Sequence, residues 1–213
     1  MKIYLAFAVC FIIVGSGCKK SKKTVNAVNG DLENGSPTLV LGVPYISEED
    51  ITYIQPFGVP LDFNGDIRPH AAVDFGCDDS TEFMASVSGT LGNIWLEYEH
   101  SYQFNIVVDE RYVVHYCVEP VNIHLLSDAD KLSAIYFAPG DTIKKGQKVC
   151  RLVGGGGHLD WGLIIDNERV CPACYLSDDD YSQVNRLFKN LPVGFEGYEN
   201  LCPDNEFHTN PRQ

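Results

Sequence analysis

Basic residues are scarce over most of this chain of 213 residues. Five of its 16 lysines and arginines lie in the first 23 residues, which leaves 11 basic residues against 29 acidic ones in Thr24–Gln213. A surface of this charge repels phosphate backbones, so the composition argues against nucleic acid as a partner. Internal repeats are also missing. With 45% apolar and 21% charged residues, the composition is that of one globular domain with extensions.

The N-terminus has the features of a targeting segment. Lys2 gives a positive start, Ile3–Val14 is apolar but too short to span a bilayer comfortably, and three small residues lead to Cys18. This arrangement resembles a bacterial lipoprotein signal, which implies a signal peptide over residues 1–17 and a lipid on Cys18. Residues 18–43 would be a flexible tether that holds the protein on a membrane of the bacterial cell envelope, facing the periplasm or the exterior. An ordinary secretory signal that contains a cysteine is the alternative.

Six cysteines remain once Cys10 leaves with the signal and Cys18 carries lipid. They are Cys77, Cys117, Cys150, Cys171, Cys174 and Cys202. An even number in an oxidising compartment predicts three disulfides, with the pairing left open. Cys171-Pro-Ala-Cys174 could instead be a redox pair or half of a zinc site, but the chain has no second pair of this spacing, which favours disulfides.

Short β-strands dominate the predicted secondary structure. Tyr102–Val108 and Tyr112–Val118 flank a polar turn, which predicts a hairpin. Ala85–Glu99 mixes β-branched and aromatic residues with glycines and predicts two short strands, with a turn or bulge at Gly89 or Gly92. The chain is therefore predicted to be mainly β and antiparallel.

Two short helices are predicted at the periphery. Ser127 and the acids after it form a capping box before Lys131–Tyr136. Ser177, followed by three aspartates, starts a second helix that ends at Leu191-Pro192. Pro44–Pro60 reads as an extended arm, and the segment after Pro192 reads as a loop held through Cys202.

Two pairs of histidine and aspartate give the pattern of a metal site with nitrogen and oxygen ligands. His70 and Asp74 are four residues apart. His158 and Asp160 follow a run of four glycines and, as residues i and i+2 of a strand, share one face. Either pair alone is weak evidence, because an isolated histidine and aspartate more often form an ordinary hydrogen bond.

Four segments together resemble the lysostaphin/LytM-type zinc metallopeptidases, which cut peptide cross-links of bacterial peptidoglycan. Arg68–Phe75 resembles the motif His-x-Gly-x-Asp-Phe, with Ala72 in place of glycine. Ala85–Leu91 resembles the Ala-x-x-x-Gly-x-Val strand, Pro139–Val149 resembles the Gly-Asp-x-Val-x-x-Gly-Gln turn, and His158–Leu163 falls where the family has His-Leu-His-Phe-Glu. The resemblance covers about half of the chain. It implies a small antiparallel β-sandwich, the duplicated hybrid motif, over residues 44–170, followed by a disulfide-stabilised extension with a helix over 171–213.

The resemblance also implies roles for single residues. His70, Asp74 and Asp160 correspond to zinc ligands, and His158 corresponds to a catalytic histidine. Asp160 replaces a histidine, and its negative charge would weaken the acidifying effect of a metal on bound water. A second catalytic histidine is expected in a Tyr-x-His step, where this chain has Val118, which cannot transfer a proton.

Three functional interpretations follow. The favoured one is a catalytically impaired envelope lipoprotein that binds peptidoglycan peptides or an envelope protein, with zinc as a possible cofactor. The alternative is an active zinc endopeptidase that hydrolyses peptidoglycan peptide bonds. In the third, the histidines and aspartates only form hydrogen bonds inside a disulfide-stabilised sandwich.

Overall fold

The computed structural model describes residues 39–63, 65–97, 100–195 and 197–203. The predicted signal peptide, Cys18 and most of the tether lie outside the described residues, and so does the segment 204–213. The statements made about those segments stay predictions. Within the described ranges, no helix is long and apolar enough to cross a bilayer.

Strands make up most of the regular structure. They are β1 (Ile51–Gln55), β2 (Pro60–Phe63), β3 (Asp66–Pro69), β4 (Val73–Cys77), β5 (Glu82–Met84), β6 (Gly89–Leu96), β7 (Tyr102–Val107), β8 (Tyr112–Pro120), β9 (Thr142–Ile143), β10 (Lys148–Arg151), β11 (Gly157–Ile165) and β12 (Glu168–Val170). The described helices are α1 (Asp128–Ser133), α2 (Asp178–Asn190) and short 3-10 turns at Glu48–Asp50, Ile123–Leu125 and Pro172–Tyr175. The prediction of a mainly β fold with short helices is confirmed.

One large antiparallel sheet organises the domain. Its strands are hydrogen-bonded in the order β1-β4-β11-β8-β7-β6-β9, and β12 pairs with the free part of β11. β6, β7 and β8 follow one another through short connections, as expected of an antiparallel meander. β11 comes much later in the chain and lies between β4 and β8, which brings the two predicted His/Asp motifs onto neighbouring strands.

The hydrophobic core covers one face of the large sheet. Because side chains alternate along a strand, Phe75, Trp161 and Tyr116 of the three central strands point to the same face, and all are fully buried. Phe83 of β5 and Cys150 of β10 belong to the same buried cluster, so the small β5–β10 sheet lies across the core from the large one. These two layers form the predicted sandwich.

Two tyrosines of the large sheet hold the layers together by hydrogen bonds. The Tyr116 hydroxyl lies 3.0 Å from the carbonyl oxygen of Met84, beside β5. The Tyr102 hydroxyl donates to the carbonyl oxygen of Arg151 in β10. A buried phenol needs such a partner, since leaving its hydroxyl unpaired costs about 1–3 kcal/mol.

Both predicted helices are present and capped as their sequences indicate. Ser127 and Asp130 exchange side-chain and backbone hydrogen bonds in a capping box, although α1 begins at Asp128, three residues before the predicted start. The Ser177 side chain accepts a hydrogen bond from the Asp180 amide at the start of α2. Val184 and Phe188, four residues apart on α2, are its buried side chains.

The segment Ala85–Glu99 differs from the prediction. It contains one strand, β6, instead of two. The pairing of β6 with β7 shifts register between Leu91 and Ile94, so a bulge lies at Gly92, one of the two predicted positions. The glycine weakens the ladder without ending the strand, because β7 continues to pair on both sides of it.

One disulfide forms in the described residues where three were predicted. It joins Cys171 to Cys202, whereas Cys77, Cys117, Cys150 and Cys174 are buried thiols. Counting cysteines cannot reveal which sulfurs face each other. Cys117 lies on the sheet face away from the core and Cys77 on the core face, so the sheet separates these two.

The disulfide fixes the C-terminal segment against the loop that precedes the first His/Asp motif. The carbonyl oxygen of Leu201 accepts a hydrogen bond from the Phe57 amide at 3.0 Å. The Gly58 amide in turn donates to the carbonyl oxygen of His70, and the His70 amide donates to Val59, each at 2.8 Å. A continuous chain of covalent and hydrogen bonds therefore runs from Cys202 to His70.

Candidate metal centre

The candidate site lies on the face of the large sheet opposite the core. Asp160 pairs in register with Asp74 of β4 on one side and with Cys117 of β8 on the other. Residues opposite each other on neighbouring strands project to the same side, so these three side chains converge. His70, at the end of β3, joins them. The structure thus brings all four sequence-predicted residues of the domain together: His70, Asp74, His158 and Asp160.

Three of these residues can reach a single ion. His70 Nε2 lies 2.6 Å from Asp74 Oδ1 and 3.8 Å from Asp160 Oδ2. One ligand atom from each residue lies within 4.8 Å of the others. Imidazole nitrogen and carboxylate oxygen are ordinary zinc ligands, and a tetrahedral ion about 2 Å from each would replace the hydrogen bond between His70 and Asp74 and separate these two atoms to roughly 3.3 Å.

The unfilled hydrogen-bonding capacity of Asp160 supports a cation here. Its Oδ1 atom is buried and accepts no aligned hydrogen bond from the described residues, although His158 Nε2 lies 3.1 Å away. Burying an ionised carboxylate without a full set of partners is costly. A divalent ion would complete the coordination of this oxygen, so the residues present fit zinc.

The pKa values of His70 and Asp74 are both shifted by burial and by the nearby carboxylates. Burial on its own lowers the pKa of His70, but the hydrogen bond with Asp74 and the charges of Asp74 and Asp160 outweigh it, so that this pKa is raised. Burial, with the nearby charge of Asp160, also raises the pKa of Asp74. The neighbouring acids therefore favour the protonated form of His70, and burial favours the protonated form of Asp74.

His158 is held between two acids. Its Nε2 lies 3.1 Å from Asp160 Oδ1 and 3.5 Å from Glu119 Oε2. Burial lowers the pKa of His158, but contact with Asp160 and the charges of Asp160, Asp74 and Glu119 raise it to about 9. In the metal-free site, this imidazole is therefore a cation at neutral pH.

Glu119 was missed by the sequence analysis, and the position expected for the second catalytic histidine was placed at Val118, one residue too early. Val118 is fully buried and pairs with Leu159, so it points into the core and no side chain at this position could reach the site. Glu119, one residue further, pairs with His158 and faces it. The signal was available in the strand alternation, since Glu119 follows Cys117 by two residues.

Tyr53 is a second missed residue, and it had no signal because Pro44–Pro60 was read as an extended arm without a partner strand. It lies on β1 opposite Gly76 of β4. A Cβ atom on Gly76 would lie 2.0 Å from the Tyr53 ring, so only glycine lets this ring lie across the strand. The ring centroid is 6.3 Å from that of His158. The phenol therefore borders the site.

The glycine run before β11 sets the direction in which His158 enters the site. All four residues, Gly154–Gly157, have positive φ, between 84° and 143°. A Cβ atom on Gly157 would lie 2.2 Å from the carbonyl oxygen of Glu119. Side chains there would be both strained and obstructed, so the tight approach of β11 to β8 needs glycine.

Two clefts open on either side of this cluster. One, of about 550 Å³, is lined by Tyr53, Glu119, His158 and His124, among others. The other, of about 420 Å³, is lined by His70, Asp160, His115 and Arg169, among others. Glu119 lines both clefts, and the candidate metal ligands His70 and Asp160 line the second one.

Comparison with known proteins identifies the fold. No protein-family model matches the chain, and no curated protein matches it. Among solved structures, the SpoIIQ–SpoIIIAH pore forming complex aligns with a TM-score of 0.51 at 14% identity over 66% of this chain and 93% of that one. A zinc containing peptidase from Vibrio cholerae (TM-score 0.48, 17% identity) and the catalytic domain of lysostaphin from Staphylococcus simulans (TM-score 0.40, 23% identity) are weaker likenesses.

The shared lengths differ between these structures. The alignments cover 62% of this chain and 38% of the Vibrio chain, and 53% of this chain and 78% of the lysostaphin chain. The fold is of the LytM type, as the order of the four motifs predicts. At these identities the likeness concerns the fold alone, so the function depends on the site itself.

Proposed function

We propose that this domain binds zinc through His70, Asp74 and Asp160 and uses the loaded site to bind peptides in the two flanking clefts. The observation that carries the proposal is the convergence of His70 and Asp74 with Asp160, which is 86 residues further along the chain than Asp74, at distances that suit one ion. Zinc, when bound, supplies a Lewis acid that polarises a carbonyl oxygen. The chain's own residues supply the shape and charge of the clefts.

Binding without efficient hydrolysis is the function that the site supports best. His70, Asp74 and Asp160 supply two negative charges to the metal, and Glu119 adds a third beside it. This charge opposes the acidification of water on which hydrolysis by a zinc site depends. The proposed ligands are peptidoglycan peptides or an envelope protein. The SpoIIQ–SpoIIIAH complex contains a chain of similar fold that assembles with another protein, which supports an envelope protein as the ligand.

Peptide hydrolysis is the second candidate, and the pairing of Glu119 with His158 favours it. Glu119 is half-buried, and its pKa is raised by burial and then by the charge of Asp160, which makes it a better base than a solvated glutamate. His158 could donate a proton to a departing amine or a hydrogen bond to a developing oxyanion. These two side chains could carry the roles that the resemblance assigns to two histidines.

Metal analysis tests the site first. The purified domain is expected to hold about one zinc per chain and to lose melting temperature when a chelator removes it. His70→Ala should abolish both effects. His124→Ala is the matched control, because His124 is exposed and is not part of the cluster. A chain that holds no zinc and melts at the same temperature with and without chelator would leave only the purely structural interpretation.

Incubation of the zinc-loaded domain with purified peptidoglycan then separates the two candidates. Co-sedimentation without release of peptide fragments supports binding. Release that disappears in both His70→Ala and Glu119→Gln supports hydrolysis. Release that survives in Glu119→Gln would show that the catalytic role assigned to this residue is wrong.

The proposed location is the bacterial cell envelope, with the domain tethered through a lipid on Cys18. Expression of the full chain in a bacterium and fractionation of its membranes tests this. The chain should partition with membranes, and Cys18→Ser should release it into the soluble exported fraction. If the variant and the parent fractionate alike, the lipid anchor is wrong and the alternative secretory signal stands.

A further inference from the structure

Arg169 lies on the same sheet face as the candidate metal ligands. It belongs to β12, which pairs with the end of β11, and its register partner is Ile164. Ile164 is four residues from Asp160 on one strand, so both point to the same side. Arg169 therefore stands at the end of a row that begins at the site, and it lines the cleft that contains His70 and Asp160.

The Arg169 side chain extends over Gly162 of β11, toward the site. Gly162 lies between Asp160 and Ile164 on this face, and a Cβ atom on it would be 3.7 Å from Arg169 Nη1. The guanidinium thus lies over the strand two residues from Asp160, a rise of about 7 Å along β11. A larger side chain at residue 162 would compete for this space.

The charge of Arg169 is available to a ligand. Arg68, Arg111 and Arg186 each form an ion pair with a carboxylate. Arg169 forms no ion pair or hydrogen bond through its side chain with any of the described residues, and it is exposed. Its neighbour His115 adds no positive charge at neutral pH, because burial and the charge of Arg169 lower the pKa of this histidine to about 4.

We propose that Arg169 binds a carboxylate of the peptide ligand and so selects peptides that carry one beside the group held at the metal. This proposal rests on the proposed function and adds one chemical feature of the peptide ligand, a carboxylate. A guanidinium binds a carboxylate through two parallel hydrogen bonds, which Lys cannot reproduce. Consecutive peptide residues are about 3.8 Å apart, so a carboxylate one or two residues beyond the metal-held amide reaches the guanidinium.

The surrounding charges make this selection specific. Asp74, Glu119 and Asp160 would repel an acidic ligand in the absence of a local cation. Arg169 offsets that repulsion at one end of the site, whereas no arginine or lysine among the described residues lines the cleft of Tyr53 and His158. Glu119 lines both clefts, so a carboxylate should be accepted only at the end where Arg169 lies, which fixes the direction in which a peptide lies.

The test uses the zinc-loaded full domain and three synthetic probes. These are acetyl-tetra-alanine with a free C-terminal carboxylate, the same peptide as its C-terminal amide, and an amidated peptide with one internal glutamate. Affinities are measured by calorimetry for the parent, Arg169→Ala, Arg169→Lys and the control Arg151→Ala. Arg151 is exposed and lies outside the cleft, so its loss changes the net charge equally.

The expected result is that the parent prefers an acid to the plain amide by about tenfold or more and that Arg169→Ala removes this preference. Arg169→Lys should keep only part of it, and Arg151→Ala should keep it all. The first and third probes show whether the carboxylate is terminal or on a side chain. Equal binding of acid and amide by the parent would overturn this proposal alone. Failure of every probe to bind would overturn the proposed peptide binding as well.

Discussion

The two faces of the three central strands differ in how completely their buried polar groups are hydrogen-bonded. On the core face, Trp161 donates its indole N–H to Ser86 Oγ at 3.1 Å, and Tyr116 is hydrogen-bonded to the same serine. Every polar atom of these buried rings has a partner. On the other face, Asp160 keeps a buried oxygen without an aligned partner, and the acids Asp74, Glu119 and Asp160 lie on three neighbouring strands. The first face stabilises the fold, and the second carries repulsion that a bound cation would relieve.

This contrast explains how the site can persist without a metal. Removing a buried aromatic side chain typically costs about 3–5 kcal/mol, so the core face supplies a large favourable term. The carboxylates on the other face impose a desolvation penalty that the core must offset. We expect substitutions on the core face to change the free energy of unfolding and substitutions on the site face to change metal affinity.

Asp160→Asn should show the largest effect and should act on metal affinity alone. Zinc affinity should fall by more than about 100-fold, because even residues that only orient metal ligands are worth about 10–100-fold. The zinc-free variant should be at least as stable as the zinc-free parent, since one of three crowded charges disappears. Glu168→Gln, an exposed change of the same kind on β12, is the control for both titration calorimetry and melting. Loss of stability in zinc-free Asp160→Asn would contradict the division between the faces.

Histidine placed at residues 118 and 119 compares the faces directly. Val118→His puts a polar ring into the core and should lower the free energy of unfolding by about 3 kcal/mol or more. Glu119→His puts the same ring opposite His158 and should change it by less than about 1 kcal/mol. Chemical denaturation measures both. If peptide release from peptidoglycan increases, it should do so in Glu119→His only, and an increase in Val118→His would mean that the strand register is wrong.

The same alternation decides how much of the molecule could be predicted from sequence. The strand pattern predicted a mainly β chain from local spacing, whereas the sandwich and the convergence of the four residues were implied by the resemblance that four ordered motifs carry. Val118 shows where this fails. A motif fixes the order of residues along the chain, but the alternation of Cys117 with Val118 places the valine in the core. Tyr53 and the disulfide pairing depend on contacts between distant segments, which no local pattern encodes.

The smallest expected effect concerns His115, a neutral histidine at the border of the site. Its Nδ1 lies 2.8 Å from Asn105 Oδ1, so the neutral ring donates this hydrogen bond. Its folded pKa of about 4 lies below the ordinary value of 6.5, because burial, followed by the charge of Arg169, opposes protonation. The unfolded chain takes up this proton first as the pH falls, so stability is complete above pH 6.5 and is lost between pH 6.5 and 4.

The stability lost through protonation of His115 should be on the order of 3 kcal/mol. It is measured as the difference in denaturation between the chelator-treated parent and His115→Gln at several pH values, since the other histidines are common to both. The parent should lose its advantage over the variant as the pH falls. An unchanged difference from pH 7 to pH 4 would show that His115 has the same pKa in the folded and unfolded chain.

The chain of bonds from Cys202 through Leu201 and Phe57 to His70 leads us to expect that an ion bound at His70 is thermodynamically linked to the C-terminal segment. Linkage is reciprocal, so whatever holds His70 in place also holds the segment 197–203 in place. Zinc should therefore slow cleavage of that segment by a protease, and reduction of the disulfide should speed the escape of zinc to a chelator. The rate of zinc release would then report whether the C-terminal segment is held in place, and the rate of proteolysis would report whether zinc is bound.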